Sequence, residues 1–454
     1  MKFGKFKRLH FVGIGGSGMS GIAEVLHNLG FQITGSDLKS SQITKRLESL
    51  GIKITYGHRP ENVEDADVVV ISSAIPDDNV EVVHAMELKI PVIKRAEMLA
   101  ELMRMKYSIA VSGAHGKTTT TSMIAEVLEN AGLDPTVVVG GRIRGLGTGG
   151  KLGQSEYLVA EADESDKSFL QLFPTIAVIT NVDEEHLDNY GTFDAIKSAF
   201  VQFANRVPFF GLAIVNLDDP GARDILPRIK RRVMTYGLIR QADVHAREVK
   251  LDGLTSSFRA YYRDMFLAEV KLHVPGLHNV KNALTAFAVG IELELDMRTV
   301  ADALANFKGV MRRFELKGER NGVTVVDDYG HHPSEIDAVL KSARLYWQGR
   351  IVVVFQPHRY TRTKFLHKKF GPVFNEADVV LILPIYPAGE KPIKGVSSKL
   401  IYDAVREAGH RDVRLVESFD EVLEILDNEL KPGDLLITLG AGDVWKVGDR
   451  FLKA

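Results

Sequence analysis

Residues 108–121 read SIAVSGAHGKTTTT. An apolar run, Ile109-Ala110-Val111, leads into Ser112-Gly113-Ala114-His115-Gly116-Lys117-Thr118. Thr120, Met123, Ile124, Val127 and Leu128 then recur at helical spacing. The pattern predicts strand, turn and helix in direct succession, with one face of the helix packed on a sheet. Gly-x-x-Gly-Lys-Thr at such a junction predicts a phosphate cradle. Backbone amides hold phosphate oxygens, Lys117 reaches the β and γ oxygens, and Thr118 ligates Mg²⁺. A strict P-loop has a further glycine where this chain has Val111, yet the working parts are present.

Upstream, Gly13-Ile14-Gly15-Gly16-Ser17-Gly18 satisfies G-x-G-x-x-G after the apolar run LHFV and before a helical pattern. Small residues there let a backbone approach a pyrophosphate at a helix N-terminus. Asp37 ends the next strand, QITGSD, where it is expected to accept a ribose hydroxyl. Alone, this segment reads as an NAD site or as a tight strand–helix turn that binds nothing. Together, the two loops call for two phosphorylated ligands. A dehydrogenase has no use for the second, so the first loop is expected to take a nucleotide-linked substrate.

The remainder of the chain fits an α/β protein. Runs rich in β-branched residues alternate with helical patterns, which predicts largely parallel sheets. At 454 residues, two or three domains are expected. The reading is a first unit at 1–105, a second at 106–310 and a third at 311–454. Residues 233–275 read as β-like, and the third unit carries the strands VTVVDD, IVVVFQP, VVLILPI and DLLITLG. Lys and Arg number 57 against 59 Asp and Glu, for a net charge of −2, so no global field draws nucleic acid or anionic lipid. Cysteine is absent, which excludes disulfides, thiolate metal sites and cysteine nucleophiles. No apolar run approaches the roughly 20 residues of a membrane span. The basic N-terminal segment runs into the glycine loop without the apolar core and cleavage site of a signal peptide. A cytoplasmic location is expected.

Two acidic segments follow strands of the second unit. YLVAEADESD carries Glu161, Asp163 and Glu164, and IAVITNVDEEHLDNYG carries Asp183, Glu184, Glu185 and His186. Carboxylates at strand ends beside a phosphate loop are where Mg²⁺ is expected.

GAHGKT, EADESD, TNVDEEHLD and GLHNVKNALTA, in this order, resemble the Mur ligase family over essentially the whole chain. VVDDYGHHPSEI and FQPHRYTRT resemble the segments of its alanine-adding members. The resemblance implies three domains: a Rossmann-like domain that binds a UDP-sugar, a central P-loop ATPase domain, and a Rossmann-like C-terminal domain. It further implies an ATP-dependent ligation of L-alanine to the lactyl carboxylate of UDP-N-acetylmuramate through an acyl phosphate. Closure of the domains is expected to keep that acyl phosphate from water.

Carried over residue by residue, Gly113, Gly116, Lys117, Thr118, Thr119, His278, Asn279 and Asn282 are expected to hold ATP. Thr118, Glu161 and His186 are expected to hold two Mg²⁺ ions, with Mn²⁺ as a substitute. Gly15, Gly16, Ser17, Gly18, Asp37 and Ser73 are expected around the UDP-sugar. Tyr329, His331, Arg359 and Arg362 are expected around the amino acid. Arg359 or Arg362 would clamp its carboxylate, and His331 would orient or deprotonate its amine. Arg312-Arg313 would touch phosphate or substrate, or form a hinge. Lys197 falls where other family members carry a carbamoylated lysine, and it is left outside the site. The rival readings are a murein tripeptide ligase of the same family, a folate polyglutamate ligase, a nucleotide switch that ligates nothing, and an NAD dehydrogenase.

Overall fold

A computed structural model of the chain describes residues 6–72, 74–139, 150–184, 187–252 and 255–453, with Ser17, Leu187 and Asp188 described by their backbone alone. The described residues form three sheets. The first contains β1 (Arg8–Val12), β2 (Gln32–Asp37), β3 (Lys53–Tyr56), β4 (Val68–Ile71) and β5 (Val92–Lys94), all parallel, in the order β3-β2-β1-β4-β5. Strand order reverses at β1, whose last residue, Val12, leads into the glycine loop. Ligands of open α/β sheets bind at such a point.

The second sheet takes ten strands: β6 (Tyr107–Ser112), β7 (Thr136–Val138), β8 (Gly150–Lys151), β9 (Tyr157–Glu161), β10 (Ile176–Ile179), β11 (Leu212–Asn216), β12 (Val233–Gly237), β13 (Val244–Asp252), β14 (Thr255–Tyr262) and β15 (Met265–Leu272). Their order is β15-β14-β13-β12-β11-β10-β6-β9-β7-β8. The strands around β6 are parallel, whereas β14 and β15 form an antiparallel pair. The central strands are buried on both faces, which explains why β10 and β11 are near-continuous apolar runs. Thr120, Met123, Ile124, Val127 and Leu128 of the helix Lys117–Asn130 are all buried, as their spacing predicts.

The third sheet comprises β16 (Glu315–Arg320), β17 (Val323–Asp328), β18 (Ile351–Phe355), β19 (Val379–Ile382), β20 (Val413–Leu415) and β21 (Leu435–Leu439), in the order β16-β17-β21-β18-β19-β20. Only β16 is antiparallel to its neighbour. The first two sheets belong to a compact unit that runs through Val310, and the third belongs to one that starts at Met311. Among the described residues no helix is long and apolar enough to cross a membrane.

Candidate active site

β6 ends at Ser112 and the following helix begins at Lys117, so the intervening turn is tight. Gly113 has φ of 142°, and a β-carbon on it would stand 2.0 Å from Thr180 Oγ1, so only glycine fits. The segment after β10 clasps the turn. Thr180 Oγ1 and Asn181 Nδ2 donate to the His115 carbonyl at 2.6 and 3.0 Å, and the His115 amide donates to Asn181 Oδ1 at 2.8 Å. Two strands thus fix one loop, which preorganises its amides for an anion.

Lys117 Nζ donates to the Gly113 carbonyl at 2.6 Å, the Ala114 carbonyl at 3.3 Å and Glu164 Oε1 at 2.9 Å. Burial alone would favour loss of its proton. The charges of Glu164, Glu161 and Asp163 outweigh that and hold its pKa above the ordinary lysine value. Thr118 Oγ1 donates to Glu161 Oε2 at 2.9 Å. A hydroxyl and a carboxylate this close form two arms of an oxygen set suited to Mg²⁺, which keeps waters and phosphate oxygens as its other ligands. Among the described residues no cluster of three His, Asp or Glu side chains converges on a metal position. His186 lies outside the described residues.

The acidic loop after β9 is anchored from beneath. Phe169 is buried, stacked on Phe203 at 5.1 Å and edge-on to Phe200 at 5.2 Å, and its amide donates to the Asp163 carbonyl. Tyr190 Oη donates to the Glu164 carbonyl at 2.6 Å and Asn189 Nδ2 to the Ser165 carbonyl at 2.8 Å. The two acidic segments are therefore tied together, as their separation in sequence does not reveal. The helix Leu277–Glu292 packs on the helix Lys117–Asn130. Asn282 Oδ1 lies 3.0 Å from where a β-carbon on Gly116 would stand, and Asn282 Nδ2 donates to Asn279 Oδ1 at 3.2 Å. Thr119 is half-buried, and His278 is exposed in the first turn of its helix. Lys197 bonds Asp224 at 2.9 Å and lies over the Phe193 ring.

In the first sheet, the amides of Gly13 and Ile14 both donate to the Ser36 carbonyl, and the helix Ser17–Asn28 begins directly after Gly16. The Gly15 amide donates to Asp37 Oδ2 at 2.9 Å. A β-carbon on Gly15 would stand 2.7 Å from that oxygen and 3.0 Å from Thr44 Cγ2. The smallness of Gly15 thus admits the Asp37 carboxylate, one oxygen of which is engaged by the loop itself. Ser73 and the Ser17 side chain lie outside what the structure describes.

Arg95 opens the helix Arg95–Arg104, and its Nη1 lies 3.2 Å from the β-carbon position of Gly18. Burial opposes ionisation of Asp163, but Lys117, donors from Ser165 and the charge of Arg95 hold its carboxyl below the ordinary range. Arg95 therefore lies against the first glycine loop, and its charge is felt at Asp163 of the acidic loop. Arg95 belongs to none of the motifs quoted from the sequence. The available signal is a basic residue straight after the strand PVIK, at the sheet end that carries the glycine loop.

The unit that starts at Met311 gathers a polar group at the C-terminal ends of β17 and β18. Asp328 is buried and accepts the amides of Phe314 at 2.7 Å and Gly330 at 2.6 Å, and burial pushes its carboxyl up to about 6. His331 Nδ1 lies 3.0 Å from the Tyr329 carbonyl, which only accepts, so Nδ1 carries the proton and Nε2 the lone pair. Burial, with the charges of Arg362 and Arg313, pushes the His331 pKa down to about 4, against the pull of Glu335. His332 instead caps the helix Pro333–Tyr346, and Glu335 accepts the amides of both histidines. Arg362 Nη1 donates to His358 Nδ1 at 3.2 Å and to the His358 carbonyl at 3.1 Å. The His358 ring stacks on Tyr386 at 5.7 Å and lies 5.6 Å from the His331 ring.

Tyr329, His331 and Arg362 thus share one neighbourhood with His358, which sits inside the quoted FQPHRYTRT yet is missed as a site residue. Arg359 is exposed and has φ of 73°, a strained backbone for a non-glycine residue. Arg312 is pinned to Asp327 and to the carbonyls of Gly440 and Gly442, a structural role, while Arg313 faces Glu335 at 3.6 Å.

Comparison with known proteins accounts for this combination. Residues 8–107 match the profile of the Mur ligase family catalytic domain, residues 111–290 the Mur ligase middle domain, and residues 312–442 the Mur ligase glutamate ligase domain. UDP-N-acetylmuramate–L-alanine ligase of Geobacter sp. (strain M21) is 56% identical over 99% of this chain and 98% of its own length. The enzyme of the same name from Myxococcus xanthus is 54% identical over 98% of this chain and 94% of its own. A crystal structure of UDP-N-acetylmuramate–alanine ligase from Thermotoga maritima superposes with a TM-score of 0.83 at 30% identity, covering 98% of both chains. A murein peptide ligase from Psychrobacter arcticus gives 0.73 at 25% identity, again over 98% of both. With three consecutive family domains spanning nearly its whole length, the chain belongs to the Mur ligase family.

Proposed function

We propose that the chain joins L-alanine to the lactyl carboxylate of UDP-N-acetylmuramate, converting ATP to ADP and phosphate. The observation that carries this is the Lys117, Thr118 and Glu161 group of the unit that runs through Val310; the unit that starts at Met311 separately carries the His331 and Arg362 group. The full-length identity to alanine ligases from several bacteria supports alanine as the amino acid.

A carboxylate is a poor acyl donor because its leaving group would be oxide. Transfer of the γ-phosphoryl group to a lactyl carboxylate oxygen releases ADP and gives an acyl phosphate. The amine of alanine then attacks the acyl carbon. The tetrahedral intermediate breaks its C–O bond to phosphate, leaving the amide. Lys117 neutralises charge on the transferred group and holds it in line. Mg²⁺, held by Thr118 and Glu161 as one of two ions, would offset the charge of the phosphates. The first glycine loop, the N-terminus of the helix Ser17–Asn28 and Arg95 hold the diphosphate of the UDP-sugar. Arg362 holds the alanine carboxylate, and His331 Nε2 accepts the proton that the amine sheds.

On this reading residues 1–105 bind the UDP-sugar, 106–310 bind ATP and 311–454 bind the amino acid. ATP and UDP-sugars are cytoplasmic metabolites, which assigns the reaction to the cytoplasm. Phosphate release tests the proposal: it should require ATP, UDP-N-acetylmuramate and L-alanine together. Release that ignores the amino acid would favour a nucleotide switch. A requirement for a preformed tripeptide would favour a murein peptide ligase, the activity named for the Psychrobacter arcticus structure.

A further inference from the structure

Glu164 has no role in the chemistry described so far, yet it makes the closest charged contact of the phosphate-binding lysine. Its Oε1 lies 2.9 Å from Lys117 Nζ, and its side chain is 4% exposed. Its backbone is held by Tyr190 Oη at 2.6 Å and by the Lys167 amide at 3.1 Å, both donating to its carbonyl. The carboxylate therefore sits on a fixed base. Glu161, three residues away, is turned to Thr118 instead.

An ammonium group has three donors. Those of Lys117 go to the Gly113 carbonyl, the Ala114 carbonyl and Glu164 Oε1. A phosphate oxygen that is to bind Lys117 must therefore take the place of one acceptor. The two carbonyls belong to the loop that frames the site and cannot leave it. Glu164 is the only one of the three on a side chain, and it carries the same sign of charge as a phosphoryl group.

We infer that Glu164 is a positioning residue that occupies the γ-phosphoryl place on Lys117 and is displaced when ATP binds. This rests on the reading of the loop as the ATP site. Glu164 keeps the buried lysine charged and aimed while the site waits, and ATP must compete with it. ADP lacks the γ-phosphoryl group and leaves the Lys117–Glu164 pair in place. Glu164 thereby narrows the preference of the site for ATP over ADP.

Calorimetric titration of the full chain with MgATP and with MgADP tests this in wild type, Glu164→Gln and Glu164→Asp. Loss of a charge-assisted competitor in Glu164→Gln should tighten ATP binding about tenfold and leave ADP binding within about twofold. Unchanged or weaker ATP binding would overturn the inference, and so would equal tightening of both nucleotides. If Glu164→Gln does not fold, Glu164→Asp decides. Its shorter stem draws the carboxylate away from Lys117, so ATP affinity should rise selectively, and no rise would count against the inference. A wild-type chain that binds no ATP would instead overturn the assignment of the ATP site.

Discussion

Thr118 Oγ1 and Glu161 Oε2 lie 2.9 Å apart, although one sits in the first turn of a helix and the other closes the neighbouring strand β9. Parallel pairing of β6 with β9 brings them together, with Val111 opposite Glu161 in register. A divalent cation placed between two such oxygens would replace their hydrogen bond. Glu161→Gln should therefore raise the Mg²⁺ concentration needed for half-maximal activity by about tenfold or more. Activity measured against Mg²⁺ at saturating ATP checks this. An unchanged Mg²⁺ dependence would remove Glu161 from the metal set.

Arg95 lies beside Gly18, and the proposed function gives it the diphosphate of the UDP-sugar as its partner. Arg95→Ala should raise KM for UDP-N-acetylmuramate about ten- to a hundredfold, the loss expected for a charge-assisted contact, with KM for ATP nearly constant. Arg95→Lys should recover part of the loss, since a point charge replaces a planar fork. Steady-state kinetics with each substrate varied in turn distinguishes this from a general loss of folded enzyme. Equal KM values in all three proteins would refute the role.

The two arginines of FQPHRYTRT are separated by their surroundings. Arg362 is partly buried beside His358 and His331, whereas Arg359 is exposed. Arg362→Ala should raise KM for L-alanine about ten- to a hundredfold, and Arg359→Ala far less. Reversal of that order would transfer the carboxylate clamp to Arg359.

His331 should titrate at about 4 in the folded chain, against an ordinary value of 6.5. Between those values the unfolded chain binds a proton that the folded chain refuses, so stability rises with pH across that window. The contribution is fully present above pH 6.5 and is lost as pH falls toward 4, on the order of 3 kcal/mol in all. Nε2 accordingly stays unprotonated throughout the neutral range. NMR titration of the imidazole nitrogens checks the value, and a midpoint near 6.5 would contradict it.

Much of the fold was legible because it rests on local patterns. The phosphate loop, its buried helical face and the glycine loop after β1 all follow from spacing and from residues that suit one backbone shape. The β-like text at 233–275 was legible as strands, but its addition to the central sheet was not, because sheet membership is a long-range property. The side chains of the site were harder. Spacing does not say which carboxylate of EADESD faces Lys117, and the answer depends on the anchors Tyr190 and Phe169. Gly15 reads as room for a pyrophosphate, yet the space it leaves is filled by Asp37 from the next strand. Gly15→Val would therefore damage the loop before it could report on ligand binding. Of the paired histidines, one caps a helix and the other presents a free ring nitrogen, a division made by Glu335 and the Tyr329 carbonyl.

The proposed ligation is tested most directly by product analysis by mass spectrometry after incubation with ATP, Mg²⁺, UDP-N-acetylmuramate and a panel of amino acids and murein peptides. The expected product is UDP-N-acetylmuramoyl-L-alanine, formed together with equal amounts of ADP and phosphate, with no product when ATP is omitted. A product formed only from a preformed tripeptide, or ATP turnover with no amide formed, would contradict the proposed ligation.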